Sequence, residues 1–491
     1  MRSFDFGKVD NILTRLEKTA GMFPEKTAYS DSEKKVSFGE VLLKARAVGT
    51  YILRKNTGDR PVAVMLGRSV DTIIVFLGVV YSGHAYAPVG TDIPAERQDK
   101  IMKKLQPSFI IDDRNVREAL NEKIDHGRLD AVRQGITVTD PLYVIFTSGS
   151  SGDPKGVITS QISLMNYIDS YSRVMGIGSE DIMASQSPLD YIAAIRDIYV
   201  PVFTGASDVL IPKEYFMQPE VLFNYLNDRK VTCISWSTSA MSVLSKLHAF
   251  KDARPEYISK VCFSGSIMSP VVLKEWQTEI PGALFVNQYG PTETTASCTY
   301  YKLDHVVNED EVIPIGVPYD NYRVFLLSDD NKPVKAGEEG EIAVGGVGVT
   351  LGYINDPERT DAAFIRNPLQ NAFFDRIYKT GDMGVFREDG VLMYHGRRDR
   401  QIKYMGHRVE LDEIESAAAA AGIKAAAALY DADKEALWLF YEGEMSVRDV
   451  SLSLRERLPG FMVPRKIKNL ESIPLLPNGK TDFNVLRSMV N

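Results

Sequence analysis

The loop at residues 147–156 contains the residue types that bind a phosphate group. It follows an apolar run at residues 143–146 and combines small residues and hydroxyls with one lysine. Glycines let backbone N–H groups approach an anion, hydroxyls add hydrogen-bond donors, and a lysine supplies positive charge. The residues of this kind are Thr147, Ser148, Gly149, Ser150, Gly152 and Lys155. The pattern predicts a phosphate-binding loop, and a flexible surface turn is the alternative.

Two common nucleotide-binding motifs do not match this sequence. A Walker loop requires serine or threonine after its lysine, whereas Gly156 follows Lys155. A dinucleotide-binding loop requires three spaced glycines, and the pair Gly346 and Gly348 lacks the third. The sequence therefore disfavours a Walker-type loop and a dehydrogenase.

Length and charge limit the class of protein further. The chain has 491 residues, which is too long for one hydrophobic core, and its net charge of −8 disfavours a general nucleic-acid binder. The N-terminus lacks an apolar signal core, and the most apolar run, residues 73–81, is too short to span a bilayer. We expect a soluble cytoplasmic protein that binds neither nucleic acid nor membrane. Its three cysteines show no disulfide or zinc spacing, so we expect them to be buried.

Apolar runs alternate with helical patterns along most of the chain. Such couples occur at residues 61–82, 109–122 and 233–247, and a further apolar run follows at 259–263. Strands that alternate with helices predict an α/β fold with mostly parallel sheets covered by helices on both faces. Later runs at residues 322–327, 340–344 and 390–394, joined by Gly and Asp turns, predict a small β subdomain.

A charged segment at residues 396–401 follows one of these runs and predicts a domain boundary. We expect a large N-terminal domain at residues 1–398 and a small, mobile α+β domain at 399–491. The small domain should contain a helix at residues 412–421, because acidic residues begin the segment and Gly422 ends it.

The phosphate loop resembles that of the adenylate-forming superfamily, which includes acyl-CoA synthetases, luciferases and the adenylation domains of nonribosomal peptide synthesis. The resemblance continues over some 400 residues, and the motifs occur in the order of the family. They are Y-x-P at residues 86–88, Y-G-P-T-E at 289–293, a glycine-rich motif at 340–353, T-G-D at 380–382, a hinge motif at 396–410 and N-G-K at 478–480. Each motif is weak alone, but the ordered set identifies the chain as a member.

The resemblance implies that the chain binds ATP and Mg²⁺. Both ATP and a carboxylate are anionic, so catalysis should depend on neutralising charge and aligning the reactants. Glu293 is the expected Mg²⁺ ligand, Thr292 the α-phosphate contact, and Tyr289 the residue that packs against adenine. Asp382 should bind the ribose with help from Arg397, while Thr147, Ser148 and Lys155 hold the β- and γ-phosphates. Asn287 and Gly290 complete the expected nucleotide site.

Two residues of the expected small domain receive catalytic or mechanical roles from the same resemblance. Lys480 should contact the substrate carboxylate and the charge that develops at phosphorus, and a surface lysine after Asn-Gly is the alternative. Asp399 matches the hinge residue about which family members rotate the small domain between adenylation and thioester formation.

The resemblance also suggests the reaction partners. Phe461 to Arg465 and the compact length resemble stand-alone amino-acid adenylating enzymes, including D-alanine:carrier-protein ligases. The chain ends at Asn491 without a carrier domain, so we expect the phosphopantetheine thiol of an acyl or peptidyl carrier protein in trans. An acyl- or aryl-CoA ligase that uses free CoA is the main alternative, and a catalytically inactive binding module is a more distant one.

The expected acid pocket departs from that of peptide synthetases. Their aspartate partner of the α-ammonium aligns with Ile192, and Asp190 lies two residues earlier. If the segment is extended, this shift moves the carboxylate by about 6–7 Å on the same face, which favours a β-amino acid. Asp190 as a turn residue after proline is the alternative. Arg196 either binds a second substrate carboxylate or pairs with Asp197 or Asp190.

By the same alignment, the other pocket residues are mostly small and polar. This composition disfavours a long acyl chain or a large aromatic acid. The residues are Tyr191, Ser235, Cys262, Ser264, Gln288, Ala296 and Ser297.

Overall fold

The computed structural model describes residues 10–55, 58–149, 153–335, 337–432, 434–476 and 481–490. The chain divides into two units. The large unit contains Met1–Val89, Gln106–Ile145 and Val157–Gly396, and the small unit contains Gly90–Leu105, Phe146–Gly156 and Arg397–Asn491. The division into domains at 1–398 and 399–491 stays a prediction.

Helices occur along the whole described chain and include the predicted alanine-rich helix near residue 412. They are α1 Ile12–Met22, α2 Phe38–Arg54, α3 Val70–Tyr81, α4 Ala95–Leu105, α5 Val116–Leu120, α6 His126–Gly135, α7 Gln161–Met175, α8 Ala194–Thr204, α9 Pro219–Asp228, α10 Thr238–Lys246, α11 Pro270–Glu279, α12 Pro357–Ala363, α13 Leu411–Ala420, α14 Val447–Arg455 and α15 Phe483–Ser488.

Short strands separate these helices through most of the large unit. They are β1 Thr27–Ser30, β2 Lys35–Ser37, β3 Val62–Met65, β4 Tyr86–Pro88, β5 Phe109–Asp112, β6 Pro141–Thr147, β7 Lys155–Ser160, β8 Ile182–Ser185, β9 Ser207–Leu210, β10 Cys233–Ser237, β11 Lys260–Ser264, β12 Leu284–Tyr289, β13 Thr299–Leu303, β14 Val317–Pro318, β15 Tyr322–Leu327, β16 Gly340–Gly346, β17 Gly352–Tyr353, β18 Phe364–Arg366, β19 Arg376–Phe386, β20 Leu392–Arg397, β21 Gln401–Tyr404, β22 His407–Glu410, β23 Ala425–Asp431, β24 Ala436–Glu442 and β25 Lys466–Leu470.

Two large sheets contain mainly parallel strands. One has the order β14-β13-β12-β11-β10-β8-β9-β1-β2, and the other β17-β7-β6-β4-β3-β5. Strands β8 to β12 pair in parallel, whereas β13 and β14 add antiparallel edges. A third, antiparallel sheet has the order β15-β16-β19-β18, with β20 on β19. The predicted α/β fold with a small β subdomain is confirmed.

The small unit has its own sheets and its own core. Strands β21 and β22 form a hairpin, and β23, β24 and β25 form a three-stranded sheet. Helices α13 and α14 contact each other, and their apolar residues share one buried cluster with the sheet. Alternating strands and helices therefore produce an α+β unit, as the sequence predicts.

The most apolar stretch of the chain is a buried helix rather than a membrane span. Nearly all of α3 is buried, which is expected for a helix that is hydrophobic on every face. It packs closely on α2, and glycine allows this approach, since a Cβ at Gly78 would lie 2.5 Å from the Val48 Cβ. A Cβ at Gly49 would lie 2.6 Å from the Tyr81 Cβ. Within the described residues, no helix is both long and apolar enough to cross a bilayer.

One predicted strand begins later than expected. The sequence predicts a strand at residues 390–394, but β20 begins at Leu392. Gly390 has a φ of +80°, and Arg387 and Val391 are joined by a backbone hydrogen bond of 2.9 Å. These residues close a turn, so extended backbone starts only after it. The prediction that all three cysteines are buried is confirmed.

Two carboxyl groups are buried together in the large unit. Asp197 lies in the first turn of α8 and Asp208 in β9, and neither is more than 2% exposed. Burial raises the pKa of Asp197 to about 7, although Arg196 and Arg68 oppose the shift. Burial also raises the pKa of Asp208 well above its ordinary value. Both groups therefore tend to keep their protons in the folded state.

We expect this burial to make stability fall with rising pH. An unfolded aspartate titrates near pH 4 and folded Asp197 near neutrality, so the folded state holds more protons between these values. The free energy of unfolding should fall as pH rises through that window. Asp197→Asn should remove the part of the fall that Asp197 contributes, while Asp208 keeps its own part, and should gain on the order of 1–3 kcal/mol over the wild type between about pH 5 and pH 8.

Thermal unfolding of both proteins at the two pH values measures this difference. Asp252→Asn, at an exposed aspartate, is the matched control and should leave the pH dependence unchanged. An equal effect of Asp197→Asn at both pH values would contradict the prediction.

Candidate functional site

The T-G-D motif forms a bulge in the small antiparallel sheet. Glu341 of β16 lies opposite Met383 of β19, but Ala343 lies opposite Lys379, so residues 380–382 are inserted between the two pairs. Gly381 at the centre has a φ of +75°, which glycine adopts without strain. A β-bulge bends a strand and redirects its side chains. The bulge therefore sets the direction of Asp382.

Hydrogen bonds fix this bulge on both sides. The Thr380 hydroxyl donates to the Ile342 carbonyl at 2.8 Å and accepts from the Asp382 N–H at 3.0 Å. The Gly381 N–H donates to the Glu341 carboxylate at 3.1 Å, and Lys379 lies 3.0 Å from the same group. Each residue of the motif has a structural role. Thr380 forms the hydrogen bonds that hold the bulge, Gly381 adopts the positive φ, and Asp382 directs its carboxylate toward Tyr289.

The structure brings together two predicted nucleotide-site residues, Tyr289 and Asp382. Tyr289 ends β12 of the nine-stranded sheet, and its hydroxyl donates to Asp382 Oδ2 at 2.5 Å. Both side chains are buried. Burial raises the pKa of Tyr289 well above its ordinary value, and the Asp382 charge raises it further. Tyr289 therefore stays a donor, and the carboxylate is held in one orientation.

The Y-G-P-T-E motif folds back on the strand that precedes it. The Cys298 N–H donates to the Tyr289 carbonyl at 2.8 Å, which closes a loop at residues 290–297. A Cβ at Gly290 would lie 2.5 Å from the Ser297 Cα, so only glycine fits at this crossing. Thr292, the expected α-phosphate contact, lies buried in a short 3₁₀ turn.

The same loop contains strained backbone. Thr295 and Ala296 both have left-handed conformations, with φ values of +58° and +68°. Such conformations cost non-glycine residues roughly 1–2 kcal/mol each, and they concentrate at functional sites. The Thr295 hydroxyl donates to the Gly348 carbonyl at 2.8 Å, and the Tyr322 hydroxyl donates to the Thr294 carbonyl at 3.1 Å. These two bonds hold the loop in place.

Glu293 is a fully buried carboxylate at the centre of this loop. Its Oε1 accepts a hydrogen bond of 2.7 Å from the Tyr353 hydroxyl, and its carbonyl accepts one of 3.0 Å from the Thr350 N–H. No group of three or more His, Cys, Asp or Glu residues suited to a metal occurs in the described part of the chain. Mg²⁺ commonly binds one or two carboxylates together with substrate phosphates, so a single oriented glutamate fits this ion.

Asn287, an expected nucleotide contact, forms a hydrogen bond with the protein backbone. Its side-chain N–H donates to the Pro314 carbonyl at 2.7 Å. This bond links the end of β12 to the segment before β14. Its predicted nucleotide contact stays a prediction.

The phosphate loop lies in the small unit and begins where β6 ends. Thr147 is buried, and its hydroxyl has no hydrogen-bond partner among the described residues. A Cβ at Gly149 would lie 2.2 Å from the Asp153 carbonyl oxygen, so the loop requires glycine there. A buried donor beside a glycine-rich turn fits a phosphate oxygen. Ser150 and Gly152 lie outside the described residues.

Two further phosphate-loop residues contact β22 of the small unit. The Ser148 hydroxyl donates to the Arg408 carbonyl at 2.8 Å. Lys155 is buried, and its Nζ lies 3.8 Å from the Glu410 carboxylate. The lysine charge is therefore held inside the unit and close to the loop.

The hinge motif contains a close ion pair. Arg397 donates to both carboxylate oxygens of Asp399, at 2.6 and 2.8 Å. Burial alone would raise the pKa of Asp399, but the hydrogen bond and charge of Arg397 outweigh it and lower the pKa. Asp399 therefore stays ionised and paired. Lys480, the expected catalytic lysine, lies outside the described residues.

Several predicted pocket residues lie near the carboxyl ends of three parallel strands. Ser235 of β10 pairs with Cys262 of β11, and Ser264 of β11 pairs with Gln288 of β12. In open α/β sheets, ligands bind beyond the carboxyl ends of the strands. The register therefore places these side chains at the expected edge. Ala296 and Ser297 are buried in the strained loop that follows β12.

Arg196 lies in the same cluster and does not pair with a carboxylate as one alternative predicted. Its Nη1 donates to Gln288 Oε1 at 3.0 Å, and its guanidinium lies 3.4 Å from the Ser264 hydroxyl. The Tyr167 hydroxyl donates to the same Gln288 oxygen at 3.0 Å. Among the residues that the structure places, Arg196 has no ion pair within 4 Å.

The expectation of an extended segment around Asp190 is wrong. Residues 188–195 form consecutive turns, in which the Tyr191 N–H donates to the Pro188 carbonyl at 3.1 Å and the Ala194 N–H donates to the Tyr191 carbonyl at 3.1 Å. Proline and aspartate favour such turns. The shift of 6–7 Å that favoured a β-amino acid therefore has no basis here, and the roles of Asp190 and Tyr191 in the pocket stay predictions.

Sequence reasoning missed the tyrosines that orient these groups. Tyr353 bonds Glu293, and Tyr167 bonds Gln288. Tyr167 and Tyr171 are four residues apart on α7, so they share one face of that helix. This spacing could have indicated from the sequence that the two tyrosines lie side by side. No local pattern links Tyr353 to a glutamate 60 residues away.

Known proteins resemble this chain over most of its length. The family model described as AMP-binding enzyme matches residues 16–354, more than half of the 491 residues. D-alanine--D-alanyl carrier protein ligase of Bacillus anthracis is 28% identical over 98% of this chain and 99% of its own length. Tyrocidine synthase 1 of Brevibacillus parabrevis is 27% identical over 96% of this chain, which spans only 44% of that protein.

Solved structures share the fold. The Vibrio cholerae adenylation domain AlmE, in complex with glycyl-adenosine-5′-phosphate, has a TM-score of 0.84 and 18% identity over 100% of this chain and 99% of its own. Holo-PA1221, which contains adenylation and PCP domains, has a TM-score of 0.83 and 22% identity over 98% of this chain and 84% of its own. The family match, which includes the phosphate loop and the Glu293 loop, shows that this chain belongs to the AMP-binding enzyme family.

Proposed function

We propose that the chain activates an amino acid with ATP and transfers it to the phosphopantetheine thiol of a carrier protein. The observation that carries the proposal is the hydrogen bond between Tyr289 and Asp382, which joins the Y-G-P-T-E loop to the T-G-D bulge. The similarity to D-alanine--D-alanyl carrier protein ligase over 99% of that protein supports the amino acid and the carrier.

The proposed reaction has two steps. A carboxylate oxygen of the acid attacks the α-phosphorus of ATP, the bond to the β-phosphate oxygen breaks, and pyrophosphate leaves. The carrier thiol then loses its proton and attacks the acyl carbon, and AMP leaves with the bonding electron pair. Both steps bring anions together, so the protein must supply charge and alignment.

The large unit would bind the nucleoside and the α-phosphate. Asp382 is oriented to accept from the ribose hydroxyls, and Tyr289 provides an aromatic surface for adenine. Glu293 would hold Mg²⁺, which neutralises phosphate charge when it is bound. Thr292 would donate to the α-phosphate from the turn next to Glu293. The hydrogen bonds of Thr295 and Tyr322 would hold the strained loop, and with it these groups, in the conformation that contacts the nucleotide.

The small unit would bind the outer phosphates. The Thr147 hydroxyl is a buried donor that still lacks a partner among the described residues, and Lys155 brings a positive charge to the same loop. Lys480 would contact the carboxylate during attack. Asp399, held by Arg397, would be the hinge between the two half-reactions.

Pyrophosphate exchange with a panel of acids tests the proposed activity. We expect ATP–pyrophosphate exchange to require an amino acid and Mg²⁺. We further expect acyl transfer to a phosphopantetheinylated carrier protein and little transfer to free CoA. Exchange with none of a broad set of acids would contradict the adenylation. Transfer to CoA in preference to every carrier would favour the alternative acyl- or aryl-CoA ligase.

Glu293→Gln should greatly reduce exchange without unfolding the protein. Glutamine keeps the shape and can still accept from Tyr353, but it removes the charge that favours Mg²⁺. We expect exchange to fall by roughly 10²–10³-fold, as for loss of a key electrostatic group. The exposed Glu256→Gln is the matched control. An unchanged rate and Mg²⁺ dependence in Glu293→Gln would refute the role of Glu293.

Lys480→Ala should abolish formation of the acyl-adenylate and leave the fold intact. The lysine would stabilise charge only while the acid attacks, so its loss should lower the rate by on the order of 10²–10³. The measurement is pyrophosphate exchange, with circular dichroism as a check on folding. Lys466→Ala, at an exposed lysine of the small unit, is the control. Exchange close to that of the wild type would refute the role of Lys480.

A further inference from the structure

Arg196 is a buried cation with few partners. The residue is 2% exposed, and among the described residues its guanidinium hydrogen-bonds only Gln288 Oε1 at 3.0 Å and the Ser264 hydroxyl at 3.4 Å. A guanidinium has five N–H donors and keeps its charge at any ordinary pH. Buried charges normally pair with an opposite charge because isolation in the interior is costly. In the described part of the chain, no carboxylate lies within 4 Å of it.

The carboxyl group next to it in the sequence provides this charge only in part and not as a direct ion pair. Asp197 follows Arg196 in α8, and consecutive residues of a helix do not face each other. Burial also raises the pKa of Asp197 to about 7, which makes it a weak counter-ion. Arg68, the other nearby cation, instead donates to the carbonyls of Ser185 and Ile211 at 2.7 and 2.8 Å. Arg196 therefore interacts with the Asp197 charge only from beyond ion-pair distance.

Other buried polar atoms around Arg196 also lack partners. Almost all buried polar groups in folded proteins are hydrogen-bonded, so several exceptions in one place point to a missing partner. The atoms without a hydrogen-bond partner among the placed residues are Arg196 Nε, Gln288 Nε2, Ser235 Oγ and the hydroxyls of Tyr171 and Tyr319.

These groups form one cluster. The Tyr171 ring lies 6.0 Å from the Arg196 guanidinium, and the Tyr319 ring packs edge-on against Tyr167 at 5.7 Å. Tyr167 in turn bonds the Gln288 oxygen that Arg196 also bonds. The cluster therefore gathers one positive charge and several donors around the carboxyl ends of β10, β11 and β12.

The cluster carries one positive charge, while its hydroxyls can either donate or accept. Its one amide oxygen, Gln288 Oε1, is already used by both Tyr167 and Arg196. A group with negative charge and two acceptor oxygens would match the guanidinium charge and accept from the unpartnered Arg196 Nε and Gln288 Nε2 groups. A carboxylate meets both conditions, and its planar shape matches the guanidinium fork.

We propose that this cluster binds a second carboxylate of the substrate, so that the activated acid is an amino dicarboxylic acid. The inference rests on the proposed adenylation and names its substrate class. One carboxylate would be adenylated, and the other would be held by Arg196, Gln288 and the neighbouring hydroxyls. A neutral side chain at this position would leave the arginine buried without a counter-charge.

The first test compares matched acids in ATP–pyrophosphate exchange. Aspartate, glutamate and α-aminoadipate are each compared with the corresponding amide and with an apolar amino acid of similar length. We expect kcat/KM for the best dicarboxylic acid to exceed that of its amide by at least about 10²-fold, because the amide leaves the charge unpaired. A preference for amides or apolar acids overturns the inference and leaves the proposed adenylation standing.

The second test changes the charge of the cluster with little change of shape. Gln288→Glu supplies the protein with its own carboxylate beside Arg196, so exchange with the dicarboxylic acid should fall by about 10²-fold. Exchange with the amide should fall much less. Arg196→Gln should have the same selective effect. Arg173→Gln, at the exposed arginine paired with Asp320, is the matched control and should change neither rate.

Direct binding separates this inference from the proposed activity. Glutarate binding to the full chain, measured by calorimetry, should be detected in the wild type and the Arg173→Gln control and lost in Gln288→Glu. If no acid supports exchange, the proposed adenylation fails. Glutarate binding that depends on Gln288 would then still support the carboxylate subsite, and absence of binding would overturn it. Equal losses for dicarboxylic acid and amide in both cluster variants would also overturn it.

Discussion

The hydrogen bond from the Tyr289 hydroxyl to the Asp382 carboxylate connects two sheets that form separately along the chain. Tyr289 ends a parallel strand of the nine-stranded sheet, whereas Asp382 lies in a bulge of the antiparallel sheet. Tyr289 is available for this bond because β12 ends there. Asp382 is available because the bulge bends β19. The bond is made between buried groups, and burial together with the Asp382 charge raises the pKa of Tyr289, so the tyrosine stays the donor.

The large unit also buries several charged side chains. Glu293 is fully buried and accepts a hydrogen bond from Tyr353, so its carboxylate is held in one orientation. Arg196 is buried with hydroxyl and amide partners, and Asp197 keeps its proton because of burial. Such groups reduce stability unless something else compensates them. Their concentration near the ends of the parallel strands is what a binding protein requires and a purely structural core avoids.

Much of the fold followed from local pattern, and less of the site did. Alternating apolar runs and helical stretches predicted the parallel strands and the covering helices because burial on both faces requires them. The T-G-D motif could be located but not recognised as a bulge, since the offset between β16 and β19 depends on distant pairing. Likewise, Pro188 and Asp190 signalled a turn that the alignment with an extended segment obscured. Contacts such as Tyr353 with Glu293 join distant residues that no periodic pattern relates.

The left-handed pair at Thr295 and Ala296 has a consequence for the order in which a growing chain can mature. The loop is held by the Gly348 carbonyl, which emerges from the ribosome about fifty residues after Thr295. Before Gly348 is made, Tyr322 can already bond the Thr294 carbonyl, but the hydrogen bond of Thr295 itself is missing. Tyr289 lacks its hydrogen-bond acceptor for longer, because Asp382 is synthesised after Gly348. A partly translated chain therefore lacks the Tyr289–Asp382 contact, which forms only after nearly all of the large unit has been made.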